Sequence, residues 1–184
     1  AELQRYLSDQ EAATPQAAGF HKKWIKAITR ALAKLLPTKG RYVARPSLKQ
    51  AAAYLHKPGL KDQVDDLVKA QVFGNIDSAQ NTVIIAPSPG TVVAYDLLRK
   101  MHASGHSVDL FLTAGSPLGI EIVKKRLGDP LLMPESIDQW VNATDPEDFV
   151  ALKNSLNSET FGDVSVTNYS NLNNGHADAH DIRE

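Results

Sequence analysis

The chain changes its hydrophobic period part-way along. Over residues 21–36 the apolar side chains Trp24, Ile25, Ile28, Leu32 and Leu35 recur at helical spacing, Lys23, Lys26, Arg30 and Lys34 fall on the other side, and Pro37 closes the run. This pattern predicts a basic amphipathic helix. Two further helices are expected, over Ser47–His56 with Ser47 as N-cap and over Leu60–Val72, the latter ending near Gly74. Past residue 80 the period shortens. Thr82–Ala86 is a continuous apolar run, as in a strand buried on both faces of a parallel sheet. Strands are also expected at Val108–Thr113, Gln139–Asn142 and Val164–Tyr169, with helices at Thr91–Ser104, Gly119–Arg126 and Glu147–Leu156. Alternation of this kind predicts an α/β fold, a mainly parallel sheet flanked by helices and preceded by an N-terminal helical segment. Residues 1–75 then form a helical, basic segment acting as a lid or packing layer, and 76–184 an α/β core, together one structural domain.

Composition agrees with a globular chain. The 184 residues, 42% hydrophobic and 22% charged, are enough for one domain with its own core and too apolar for disorder. The absence of cysteine removes thiol catalysis, disulfides and thiolate zinc sites. With no run near the roughly 20 apolar residues of a membrane span and no apolar leader-like stretch at the start, a cytoplasmic protein is expected. The net charge of −1 conceals an asymmetry: residues 20–70 carry +9 and residues 71–184 carry −8. Opposite signs of that size invite docking of the two parts, or contact of the basic helices with an anionic surface such as a membrane.

Chemistry concentrates at the end of the first predicted strand, which runs into Ala86-Pro87-Ser88-Pro89-Gly90 and then an apolar helix. In open parallel sheets the functional loops lie at the carboxyl ends of the strands. A serine in a tight strand-to-helix turn, with small residues two positions away on each side, has the pattern of a nucleophile elbow. The bland alternative is a Pro/Ser-rich turn. No Gly-Lys-Ser/Thr ending or dinucleotide fingerprint accompanies it, so phosphate binding is not expected. The tail residues His176, Asp178, His180 and Asp181 match no ligand spacing of fixed geometry; no metal, no cofactor and no nucleic-acid partner are expected.

Residues 83–98 (VIIAPSPGTVVAYDLL) resemble the elbow and following helix of the α/β-hydrolase superfamily of serine esterases and lipases. Residues 112–118 (LTAGSPL) are similar to the turn after that family's next strand, and 140–151 (WVNATDPEDFVA) to its acid-bearing loop. Residues 51–60 (AAAYLHKPGL) resemble the helical segment before the elbow in a group of bacterial hydrolases. The resemblance implies Ser88 as nucleophile, Asp148 as the acid with Asp145 as its competitor, and His180 as the base with His176 as its competitor. It implies hydrolysis of small-molecule or lipid carboxylic esters. His21, His56, His102 and His106 fall outside the pattern and are read as surface or helix-end residues.

Two departures qualify the resemblance. Pro89 stands where the family uses a backbone N–H in its oxyanion hole, and proline has none. Pro87 removes a second N–H at the strand end. The family's upstream strands, with the loop supplying its other oxyanion donor, have no counterpart in residues 1–81, so the chain resembles a hydrolase lacking its N-terminal strands. The first strand then lies at an open edge, where a partner chain, a helix of the basic segment or self-association is expected to cover it.

Overall fold

The computed structural model describes residues 38–76, 81–101, 107–128, 131–151 and 155–173. The predicted helix at 21–36 and both tail histidines, His176 and His180, lie outside them. Four strands, β1 (Val83–Pro87), β2 (Val108–Ala114), β3 (Ile137–Ala143) and β4 (Thr167–Tyr169), form one sheet in that order, every neighbouring pair parallel. Four helices accompany them: α1 (Thr38–His56), α2 (Pro58–Gln71), α3 (Gly90–Leu98) and α4 (Glu121–Leu127). The α/β class is thus as expected. None of the described helices is long and apolar enough to cross a membrane.

Register explains why these strands sort their side chains as they do. Ile84 pairs with Phe111 and Phe111 with Trp140, so one face of the sheet presents a row of large apolar groups. Tyr95 of α3 meets Trp140 at a ring separation of 5.6 Å, and Phe161 closes on both rings edge-on at 5.1 and 6.0 Å. Val92, Leu97, Leu98, Val108 and Leu118 complete a core with almost no exposed surface. A smaller cluster of Leu48, Ala52 and Val150 ties α1 to the loop after β3.

The structure corrects several expectations. β1 is buried on one face only: Ile84 and Ala86 point into the core, while Val83 and Ile85 are 54% and 64% exposed. Its edge position is as expected of the first strand: among the described residues β1 pairs with β2 alone. Ser47 is not an N-cap, because α1 runs straight through Pro46, which lies on an exposed part of the helix. The Pro-Ser pair reads as a helix start since proline lacks a donor, yet the helix continues through it at the cost of one intrahelical bond and crowding against the preceding turn. The helix expected at Thr91–Ser104 stops at Leu98, where bonds from Lys100 N–H to Leu97 O and from Met101 N–H to Leu98 O tighten the last turn. The last expected strand shrinks to Thr167–Tyr169. No helix forms in the described part of Glu147–Leu156, where aspartate side chains hold backbone N–H groups in turns.

Candidate active site

The carboxyl ends of successive strands are stitched together by backbone hydrogen bonds. Ser88 N–H donates to Ala114 O at 2.8 Å, Gly115 N–H to Ala143 O at 3.1 Å, and Thr144 N–H to Tyr169 O at 2.8 Å. Ser88, the Gly115–Ser116 turn, the Asp145–Asp148 loop and the chain leaving β4 therefore share one edge of the sheet.

Ser88 sits between the end of β1 and the start of α3 with φ +49°, and among the described residues it is the one non-glycine with a left-handed backbone. A Cβ-bearing residue occupies that region at a cost of about 1–3 kcal/mol, so the turn is held by its surroundings. The restraints are identifiable. The Ser88 carbonyl accepts from Thr91 N–H at 3.1 Å and from the Thr91 hydroxyl at 2.8 Å. The buried Ser116 hydroxyl donates in turn to Thr91 Oγ1 at 3.0 Å, and its oxygen receives Leu118 N–H at 3.2 Å.

Pro89 takes helical angles, φ −63° and ψ −18°, as the N-cap of α3. The ring suits this position, where an N–H has no helical partner. Pro87 proves less disruptive than the sequence suggests. Because Ser88 N–H points toward β2, alternation along the strand turns the Pro87 nitrogen to the open edge, where no β2 bond is lost. Of the N–H groups opening α3, Thr91 and Val92 donate to Ser88 O and Pro89 O, whereas Gly90 N–H makes no hydrogen bond among the described residues. It lies at the positive end of the helix dipole.

Both competing acids are buried, each 4% exposed, in the loop after β3. Asp145 Oδ1 accepts Glu147 N–H at 2.8 Å, and Asp148 Oδ1 accepts Val150 N–H at 2.7 Å and Ala151 N–H at 3.3 Å. Each carboxylate thus shapes its own loop. Beneath it runs a buried polar chain: Trp140 Nε1 donates to Thr113 Oγ1 at 3.1 Å, that hydroxyl to Asn142 Oδ1 at 3.0 Å, and Asn142 Nδ2 to Asn168 Oδ1 at 3.0 Å. These polar residues were not singled out in the sequence, where they read as ordinary interruptions of apolar strands. Asp148→Ala is expected to lower stability by about 1–2 kcal/mol by orphaning two loop N–H groups, whereas Asp148→Asn, which keeps Oδ1, loses little. Urea denaturation measures this, and an equal loss in both variants would overturn the capping role.

Among the described residues no group of three or more His, Asp or Glu side chains is arranged to hold a metal ion. His56 ends α1, away from the expected triad order. No protein-family model, no curated protein and no solved structure matches the chain. The functional reading therefore rests on the residues themselves.

Proposed function

We propose that the protein is a serine hydrolase of α/β-hydrolase type, acting on carboxylic esters through an acyl-enzyme. The observation that carries this reading is the left-handed Ser88, held in a strand-to-helix turn at the carboxyl edge of a parallel sheet. That conformation presents a side chain outward from the sheet edge and toward the helix amino terminus. The order of elements supports it further: the serine follows β1, the buried acids follow β3, and the two tail histidines come after β4.

In this reading Ser88 Oγ attacks the ester carbonyl carbon while His180 takes its proton, and Asp148 orients the imidazole. The carbonyl oxygen becomes an oxyanion, for which Gly90 N–H is the donor left at the start of α3. Collapse expels the alcohol, protonated by His180, and leaves the acyl group on Ser88. Water, deprotonated by the same imidazole, then releases the acid.

A second reading, a hydrolase-like binding or assembly module with little or no turnover, is favoured by Pro89, which has no N–H to offer the oxyanion. One experiment separates the two. A fluorophosphonate probe is expected to label Ser88, and p-nitrophenyl butyrate to be hydrolysed; Ser88→Ala removes the label and lowers turnover by about 10³-fold or more. A wild-type protein that takes no label and turns over no ester sinks the hydrolase reading in favour of the module.

A further inference from the structure

Beside the Ser88 turn, α1, α2 and α3 leave a cleft of about 190 Å³. Ala51 and Tyr54 of α1 form one wall, and Leu60 and Val64 of α2 another. The side nearest the serine is made by Pro89 and Gly90, the two residues that follow it, with Val93 one turn further along α3. The lining is almost wholly apolar. Its one phenol is turned elsewhere, because the Tyr54 hydroxyl lies 2.7 Å from Asp65 Oδ1 and 3.0 Å from Asp96 Oδ2 and receives Lys61 Nζ at 2.6 Å. The ring is left to line the cleft.

Gly90 keeps this cleft open toward the turn. A Cβ added there would meet nothing nearer than Pro87 Cδ at 3.8 Å, and no left-handed backbone calls for glycine, so the missing side chain leaves room rather than relieving strain.

We infer that this cleft is the acyl-chain site of the enzyme and that it takes short acyl groups of about four to eight carbons; the inference rests on the hydrolase reading of Ser88. Its size and the position of its walls converge on this. An apolar cavity of about 150 Å³ holds one benzene, so a cleft of about 190 Å³ holds a chain slightly longer than six carbons. Sites for drug-sized ligands are larger, at about 300–1,000 Å³. The acyl part of an ester, unlike the alcohol, remains on the enzyme until the second half-reaction ends, so a cavity walled by Pro89 and Gly90, the residues after Ser88, suits that part.

The test uses nitrophenyl esters from acetyl to palmitoyl, with fluorophosphonate labelling of Ser88 run in parallel. At about fourfold per buried methylene, kcat/KM is expected to rise about 10²-fold from acetyl to hexanoyl and to stop rising beyond octanoyl. Val93→Phe, and independently Val64→Phe from the opposite wall, are expected to lower the ratio of hexanoyl to acetyl kcat/KM about tenfold or more. In a second arm, hexanoate is titrated into wild-type and Ser88→Ala protein while the methyl resonances of Val64 and Val93 are followed. Ser88 labelling with a flat chain-length profile, or a profile that Val93→Phe and Val64→Phe leave unmoved, overturns the cleft assignment while the hydrolase reading stands. Sensitivity of those variants to the length of the alcohol rather than the acyl group also overturns it. No Ser88 labelling, with methyl shifts on hexanoate that Val64→Phe abolishes, supports the cleft as an acyl site and overturns the hydrolase reading alone.

Discussion

Pro89→Leu is expected to raise ester turnover by about 10²-fold. Loss of one oxyanion donor lowers turnover by about 10²–10³-fold, and Pro89 holds the position from which the resembled family takes such a donor. The backbone there, φ −63° and ψ −18°, is accessible to any L-residue, so leucine restores an N–H without moving the chain. Stability is expected to fall by a few tenths to about 1 kcal/mol, since proline restricts the unfolded chain. Pro89→Ala supplies the same N–H without the leucine side chain, and should match the gain in kcat for p-nitrophenyl butyrate. If both variants stay at the wild-type rate, the missing N–H at this position is not what limits turnover, and Gly90 N–H or a donor outside the described residues carries the oxyanion. A gain with leucine alone would trace to its side chain.

The parts of this fold legible in the sequence were those set by local apolar runs. β1, β2 and β3 begin and end within two residues of the expected spans, and in β1 and β2 this is because an apolar run between polar segments has few other uses. Burial of β1 was misjudged for a reason that no single run carries. An apolar strand is read as covered on both sides, and which faces are covered depends on elements far away in sequence. In the described part of the span Glu147–Leu156, where a helix was expected, Asp145 and Asp148 close turns on the N–H groups of Glu147, Val150 and Ala151. The Ser88 elbow was legible because its signature is local, a serine between small residues at 86 and 90 where a strand-like run meets an apolar helical one. The cleft beside it was not, since α1 and α2 supply walls from about 25 to 40 residues upstream.

Least legible of all was Asp96, and it carries the largest expected effect on stability. It reads as a polar interruption in the apolar run Thr91–Leu98, yet its side chain is 3% exposed and surrounded by cations. Lys100 Nζ lies at 2.7 Å, Arg99 Nη2 at 3.0 Å and Lys61 Nζ of α2 at 2.5 Å, with the Tyr54 hydroxyl of α1 at 3.0 Å. Burial pushes the carboxyl up, but hydrogen bonds from Lys100 and Lys61 and the charges of both outweigh it and hold Asp96 at about 2, below its ordinary 3.8. Burial likewise pushes the Tyr54 phenol up, reinforced by Asp65 and Asp96, so that it stays protonated and donates. Asp96→Ala is expected to cost about 3 kcal/mol, the low end for breaking a buried ion pair, because the three cations are partly exposed and can rehydrate. For a chain of this length that is a fall in Tm of about 10 °C.

A pH dependence follows from the same group. Its folded value is the lower one, so the ionised carboxylate stabilises the fold above about pH 4, and this contribution of about 2 kcal/mol is lost as pH falls from 3.8 toward 2. Urea midpoints of wild type and Asp96→Asn should therefore differ most near pH 6 and converge near pH 2. An equal gap at both values would assign the loss to shape rather than charge. Because Tyr54 and Lys61 bring α1 and α2 to this aspartate on α3, Asp96→Asn should also loosen the three helices that wall the cleft. The expected reading is a weaker preference for hexanoyl over acetyl esters at neutral pH, with Ser88 still labelled, since its turn is held from β2 and Thr91 rather than from the charged cluster.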